Sequence, residues 1–186
     1  MSDAALLART TGHWYSVDAL LDHLASRPAS SFLLPHESPQ ATASFLTHHY
    51  PEYVPAVLAA ADAACRNELS LLGQVFHFSP AINWQTDPVT GWRFPLLHRS
   101  RVSQYLGSER PVDLIIFWEL NRHQHFITLG IAYWLTGNQR YVDAFSSQVQ
   151  SWIDSNPLQH GVNWYYGLEV SIRLIAWTVA FQFFRH

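Results

Sequence analysis

A polar run inside an apolar segment is the feature that most constrains the fold of this chain. Residues 117–126 read FWELNRHQHF, and the surrounding segment, 112–135, carries apolar side chains at every angle around a helix of about 100° per residue. A helix that is apolar on all sides must be enclosed by other elements. The sequence therefore predicts an inner helix over 112–135. Because an unpaired buried charge costs several kcal/mol, its polar residues must meet internal partners or line a wet cavity.

Two further long helices are predicted after this segment. Residues 138–155 place apolar side chains on one stripe, with Asp143, Ser146 and Gln150 outside it, which indicates an amphipathic helix. Residues 165–184 are again apolar on most sides. An amphipathic helix between enclosed ones is typical of concentric helical layers. We therefore expect an all-α fold, a partial (α/α) toroid made of antiparallel helical hairpins.

The first half of the chain is less regular. Ser16 is a predicted N-cap for a helix over 16–24, and the spacing predicts a second helix over 51–69. Residues 27–51 contain four prolines and are predicted to be mostly loop. Residues 73–97 are rich in Gly, Pro, Asp and Trp, which predicts a long structured loop.

Composition excludes several classes of partner. The net charge of −3 and a pI near 6.4, without a basic stripe, argue against a nucleic-acid partner. Cys65 is the only cysteine, so no intrachain disulfide can form. No basic segment followed by an apolar one opens the chain, which predicts a cytoplasmic protein. The most apolar stretch, 174–184, is too short to cross a bilayer and follows Glu169 and Arg173, so no membrane span is expected.

The sequence predicts neither a metal site nor a cofactor. On a helix the rings of His123 and His125 would diverge by about 200°, so they could not chelate one ion. His48 and His49 are predicted to lie in a loop without further ligands. Phosphate-binding and dinucleotide-binding glycine patterns are not found in the sequence, nor is a nucleophile elbow.

On a continuous helix the polar run forms two groups. One group comprises Asn121, Arg122 and His125, and the other comprises Glu119 and His123, four residues apart. So many polar groups exceed what one helix contact needs. We therefore expect the run to face a water-filled cleft.

Later positions repeat the combination of polar and aromatic residues. Glu169 and Arg173, four residues apart, are predicted to pair with each other, and a purely structural role is the main interpretation for them. Trp84 and Trp164 each follow an asparagine beside a predicted loop. They are candidates for stacking on a sugar, with core packing an equal alternative.

Three stretches carry a resemblance to a known family: INWQTDPVTGWRFP at 82–95, FWELNRHQHFITLGIAYWLTGNQRYVDAF at 117–145, and GVNWYYGLEVSIRLIAW at 161–177. Together they resemble the N-terminal half of heparinase II/III-type polysaccharide lyases. The resemblance implies an incomplete (α/α) toroid over 61–186 after a peripheral helical lead-in over 1–60. It also implies a β-sandwich domain in a missing C-terminal part of the same polypeptide.

The resemblance further implies cleavage of acidic, uronate-containing polysaccharides, similar to heparin, heparan sulfate or alginate, by β-elimination. The family's catalytic Tyr, His and Asn are then expected beyond residue 186. The predicted substrate-binding residues are Trp84, Asn121, Arg122, His123, Gln124, His125 and Trp164. The predicted supporting residues are Glu119, Glu169 and Arg173.

Two alternatives stay open. One is a non-catalytic module that binds acidic glycans, and the other is a glycoside hydrolase on a similar toroid, which would need two opposed carboxylates such as Glu119 and Glu169. The hydrolase is the least favoured, because cationic neighbours would hold both carboxylates ionised. The resemblance also raises a periplasmic location as an alternative to the cytoplasm.

Overall fold

The computed structural model describes residues 3–8, 10, 14–26, 39–106 and 112–185. The chain divides into two compact units, one of residues 1–37 with 185–186 and the other of residues 38–184. The predicted division of the chain at residue 60 stays a prediction. The first unit contains α1 (Asp3–Leu7) and α2 (Val17–Ser26). Helix α2 begins where predicted, since the Ser16 hydroxyl accepts a 3.1 Å hydrogen bond from the Ala19 amide.

The second unit is mostly helical, as the sequence predicts. Its helices are α3 (Pro39–His49), α4 (Tyr53–Cys65), α5 (Arg99–Leu106), α6 (Leu114–Asn121), α7 (His125–Thr136), α8 (Arg140–Ser155) and α9 (Gly167–Phe184), with a short 3-10 turn at Val162–Trp164. The central element is α7, which packs against α3, α4, α8 and α9 and so contacts helices from both ends of the unit. Residues 137–139 alone join α7 to α8, which pack together as a helical hairpin.

The predicted inner helix over 112–135 is in fact two helices. Helix α6 begins after Asp113, whose carboxylate accepts hydrogen bonds from the amides of Ile115 and Ile116, both at 3.1 Å. It ends at Asn121, and α7 begins at His125. The reason is His123, whose φ of 60° is left-handed and cannot continue a right-handed helix. The break falls inside the polar run.

A small β-hairpin replaces the last part of the predicted helix over 51–69. Helix α4 ends at Cys65, and β1 (Glu68–Leu71) pairs antiparallel with β2 (Gln74–His77). The connecting Leu72 and Gly73 both have positive φ, 48° and 83°, as a tight two-residue hairpin turn requires. The sequence prediction missed it because leucine is an unusual residue for the first turn position.

The loop predictions were partly right. Residues 27–38 lie outside the described residues, but 39–49 form α3, so the predicted loop over 27–51 is wrong there and His48 and His49 are helical. Residues 79–98 form the expected structured loop. Buried Asp87 holds it together, because its carboxylate accepts from the Thr90 hydroxyl at 2.6 Å and from the Asp113 amide at 2.7 Å.

The amphipathic character predicted for 138–155 is confirmed by α8. Tyr141 and Trp152 are buried, whereas Asp143, Ser146 and Gln150 are exposed. The main core lies where α4, the hairpin, α6, α7 and α8 meet. A second cluster forms around α5 and the segments that precede and follow it. The second cluster is built from Phe94, Val102, Phe117 and Val162.

Among the described helices, α9 is long and apolar enough to pass a length-and-composition test for a membrane span. A single such helix is weak support, because core helices pass the same test. Here α9 packs on α7 and buries Glu169 and Arg173, each with only 4% of its surface exposed. Both side chains have protein partners, which are described below.

Candidate functional site

Three distant stretches of sequence meet in one buried cluster, which we call the motif junction: Trp84, Asn121, Asn156, Asn163 and Arg173. The side-chain amide of Asn163 is its centre. Its nitrogen donates to the Asn121 side-chain oxygen at 2.9 Å, the Asn156 side-chain oxygen at 2.8 Å and the Trp84 carbonyl at 3.3 Å. Asn163 and Asn121 are 0% and 1% exposed. The motif junction therefore ties the loop over 79–98 to α6 and to the turn before α9.

Arg173 closes the motif junction from α9. Its Nη1 donates to the Asn121 carbonyl at 2.8 Å and its Nη2 to the Asn163 carbonyl at 2.6 Å. The guanidinium also lies 4.4 Å from the centre of the Trp152 ring. Burial lowers the pKa of Arg173 to about 10, so the group keeps its charge at neutral pH. The predicted pair with Glu169 is wrong, because Arg173 binds carbonyl oxygens instead.

The partner of Glu169 is Arg122. Arg122 donates through Nε and Nη2 to the two Glu169 oxygens at 2.8 and 2.9 Å, and through Nη1 to Glu119 at 2.7 Å. Hydrogen bonding to Glu169, more than to Glu119, raises the pKa of Arg122. We call these three residues the Arg122 clamp. It joins the end of α6 to the start of α9.

The clamp corrects the predicted grouping of the polar run. Arg122 sits with Glu119, not with Asn121, because residues three apart share one face of a helix and Arg122 still has helical backbone angles. Asn121 turns inward to the motif junction, where its side-chain oxygen also accepts from the Trp152 indole at 2.9 Å. The chain leaves the helical path only at His123.

His123 is enclosed by aromatic rings. Its ring stacks on Phe126 and Trp177, with centroids 4.8 and 5.8 Å away, while the rings of Trp84 and Trp152 meet it nearly at right angles. The Trp177 indole donates to its Nδ1 at 2.8 Å, so the imidazole must be neutral there. Burial holds the pKa of His123 well below its ordinary value. The His123 side chain is 0% exposed, so its role in the described fold is structural.

Gln124 and His125 are different, because they line an open cavity of about 610 Å³ between α4, the hairpin, α7 and α9. Gln124 is exposed, and His125 is half-buried with its Nε2 2.9 Å from the Gln148 side-chain oxygen. Burial lowers the pKa of His125 to about 4, so it is neutral at pH 7. The lining is mainly apolar, and its two carboxylates, Glu68 and Glu119, are paired with Arg66 and Arg122.

The two tryptophans proposed for stacking differ in access. Trp84 is 1% exposed and its indole donates to the Ser151 hydroxyl at 3.1 Å, so it is a core residue. Trp164 is half-buried, packs on Trp152 and donates to the Asn156 carbonyl at 3.3 Å. Burial thus leaves Trp84, like Asn121 and His123, without a surface for substrate, whereas substrate contact by Arg122, Gln124, His125 and Trp164 stays a prediction.

Sequence reasoning missed several members of this site. Asn163 stands in the stretch GVNWYY, where only the neighbouring Trp164 was predicted as a site residue. Asn156 and Gln148 were not among the predicted site residues. Gln148 in fact donates to the Ala64 carbonyl at 2.9 Å and is 6% exposed. A polar residue on the apolar stripe of α8 was the available signal.

The predicted divergence of the His123 and His125 rings by about 200° assumed a continuous helix over 112–135. Because the chain breaks between α6 and α7, the rings of His123 and His125 approach with centroids 6.0 Å apart, nearly perpendicular. Within the described ranges, no group of three or more His, Cys, Asp or Glu side chains is placed to hold a metal ion.

The fold and the site together define a class of protein. It is a helical domain in which distant sequence motifs meet at a buried junction of Asn and Arg side chains, and it also carries an open cavity. Residues 58–186 match the profile of the family described as Heparinase II/III N-terminus. The match covers more than half of the chain, and the chain therefore belongs to this family, which is related to polysaccharide lyases. Neither a curated protein nor a solved structure gives a significant match.

Proposed function

We propose that this chain forms the toroid part of a polysaccharide lyase that cleaves uronate-containing glycans by β-elimination. The observation that carries the proposal is the motif junction, supported by family membership over 58–186. Contacts of 2.8 to 3.3 Å link residues far apart in sequence, such as Trp84, Asn121 and Asn163. Such a convergence of family motifs favours a rigid support for a site over general packing.

The chemistry sets what this support must do. β-Elimination removes the proton next to the uronate carboxyl group, so it needs a group that neutralises that carboxylate, a base and an acid for the leaving oxygen. In our proposal the Arg122 clamp positions the segment that follows it. Gln124 and His125 then present an amide and a neutral imidazole to the sugar at the cavity edge, and the half-buried Trp164 stays a candidate for stacking elsewhere on the glycan.

The geometry of the clamp speaks against the glycoside hydrolase alternative. A hydrolase needs one carboxyl group that is protonated and one that is free to act. Glu119 and Glu169 both bind the same guanidinium, at 2.7 and 2.8 Å, and the Glu169 side chain is only 5% exposed. Arg122 holds both carboxylates on one guanidinium, so they are not the two opposed and independent groups that a hydrolase needs.

The test uses the complete polypeptide that contains this chain. We expect heparin, heparan sulfate or alginate to yield unsaturated uronate products, detected by their ultraviolet absorbance, and neutral glycans to yield none. Gln124→Ala should lower kcat/KM about tenfold, as expected for one lost hydrogen bond to a charged group. The matched control is Gln139→Ala, at an exposed position away from the cavity lining. Binding of acidic glycans without any product would instead support the binding module.

A further inference from the structure

The arginines of this protein differ in the partners of their side chains. The sequence contains eleven arginines and no lysine. Within residues 39–106 and 112–184, Arg66, Arg122 and Arg140 pair with carboxylates, and Arg173 binds backbone carbonyls. The others in those ranges are Arg93, Arg99 and Arg101. They are exposed, and no described residue forms an ion pair with their side chains.

These three arginines belong to one short segment, 93–101, which also carries His98 and runs beside His160. We call Arg93, His98, Arg99, Arg101 and His160 the arginine face. His98 and His160 pair as an isolated antiparallel bridge, and their rings lie 5.5 Å apart. The Arg99 amide donates to the Gln159 carbonyl at 2.8 Å. The segment before α5 and the segment before the 3-10 turn therefore run side by side.

The arginine face stands on a rigid base. Phe94 and Val102, which directly follow Arg93 and Arg101, are 2% and 1% exposed and belong to the second core cluster with Phe117 and Val162. These buried neighbours fix the backbone from which the two arginines project. Binding a ligand there would order side chains only, which lowers the entropic cost of association.

The segments that carry the arginine face contain no acidic residue, since residues 92–106 and 157–166 have neither aspartate nor glutamate. The exposed arginines Arg66 and Arg140 differ, because each has a carboxylate partner, Glu68 and Asp62 respectively. A polyanion would therefore be drawn to the arginine face more than to those paired arginines.

The three arginines are separated along the chain. Arg93 and Arg99 are six positions apart in a mostly irregular segment, which limits the distance between their Cα atoms to roughly 20 Å. Arg99 and Arg101 are two positions apart on α5, so their side chains leave the helix in different directions. Guanidinium groups bind carboxylates and sulfates in a bidentate manner. Each arginine can therefore meet a separate anionic group of one ligand.

We propose that the arginine face binds the anionic groups of an acidic polysaccharide, at residues that do not line the cavity. The inference rests on the proposed function, because it takes the substrate to be a uronate or sulfated glycan. It adds a binding surface formed by α5 and its flanking segments, none of which belongs to the motif junction or to the Arg122 clamp.

The experiment compares two double variants of the complete polypeptide. Arg99→Ala/Arg101→Ala removes two arginines that have no ion-pair partner in the part of the chain that the structure describes, and Arg66→Ala/Arg140→Ala removes two exposed arginines that pair with Glu68 and Asp62. Each variant loses two positive charges. The probe is a heparin octasaccharide, with Kd measured by calorimetry at several salt concentrations and folding checked by circular dichroism.

We expect the first variant to weaken binding by about tenfold or more and to lower the salt slope of log Kd by about two, while the second keeps the Kd of the parent protein. Equal weakening in both variants would mean that net charge alone attracts the glycan, and would overturn the proposal. Inorganic polyphosphate that binds as tightly, with the same dependence on Arg99 and Arg101, would also overturn it, since the face would then not be specific for carbohydrate.

The proposed function and this inference fail in different ways. If the complete polypeptide neither binds nor cleaves acidic glycans, the proposed function is wrong. If it makes unsaturated products but Arg99→Ala/Arg101→Ala leaves Kd and KM unchanged, only the arginine face is wrong.

Discussion

The motif junction and the arginine face use the same side chain for opposite purposes. In the junction, Arg173 is 4% exposed, and its guanidinium contacts two carbonyl oxygens and the Trp152 ring. On the face, Arg93, Arg99 and Arg101 are exposed and have no ion-pair partner among the described residues. The first setting satisfies the charge internally, and the second leaves it available to a ligand.

The difference separates stability from binding. A buried charge that loses its partners costs several kcal/mol, so mutations in the junction should act on folding. An exposed charge is well hydrated, so mutations on the face should act on ligand affinity and leave folding alone. Four predictions can break or sharpen this contrast.

The largest effect is expected from Arg173→Leu. The substitution leaves the carbonyls of Asn121 and Asn163 buried without donors, at a cost of about 3–5 kcal/mol in the free energy of unfolding. Urea denaturation followed by circular dichroism measures it. Arg173→Lys, which keeps the charge and can reach one carbonyl, should lose less. If Leu and Lys destabilise equally, the two carbonyl contacts are not what Arg173 contributes.

Acid is expected to destabilise the interior next. The folded pKa of His125 is about 4 against an ordinary 6.5, so between these pH values the unfolded chain binds a proton that the folded chain does not. Stability should fall by roughly 3 kcal/mol as pH drops from 6.5 to 4. Buried His123, whose pKa is also lowered, adds to the same trend.

The check for this prediction is the pH dependence of urea unfolding in His125→Gln, which should be flatter than in the parent protein. His49→Gln, at an exposed position on α3, is the control and should keep the parent profile. Superimposable profiles for His125→Gln and the parent would show that His125 titrates normally.

The Arg122 clamp should give an intermediate effect. Glu169→Gln removes a carboxylate that accepts two hydrogen bonds from Arg122, at a cost of about 2 kcal/mol. Glu119→Gln removes one contact at a more exposed position, so about 1 kcal/mol is expected. Thermal unfolding of the two variants tests the order, and a larger loss for Glu119→Gln would contradict the clamp as described.

The smallest effect on stability is expected on the arginine face. Arg99→Ala/Arg101→Ala should change the free energy of unfolding by no more than about 0.5 kcal/mol, because neither side chain has an ion-pair partner within the described residues. Chemical denaturation beside the parent protein measures it. A clear destabilisation would show that these arginines are structural, and the contrast with the motif junction would disappear.

Local pattern was enough for several elements. The stripe of α8 appears in the sequence at helical spacing because one side of that helix faces water, and the N-cap of α2 was readable from Ser16. The two-residue turn at Leu72 and Gly73 could not be read, because leucine at positive φ is tolerated only when the surrounding chain holds it.

The sequence by itself determined a helical domain, the family motifs and the presence of a polar run within an apolar segment. Those properties depend on spacing and residue type, which act locally. Only the tertiary structure decided which arginine binds which partner, that the run breaks at His123, and that Asn121 turns inward while Gln124 stays exposed. Burial and hydrogen bonding between distant segments set these outcomes, since each depends on groups brought together from separate parts of the chain.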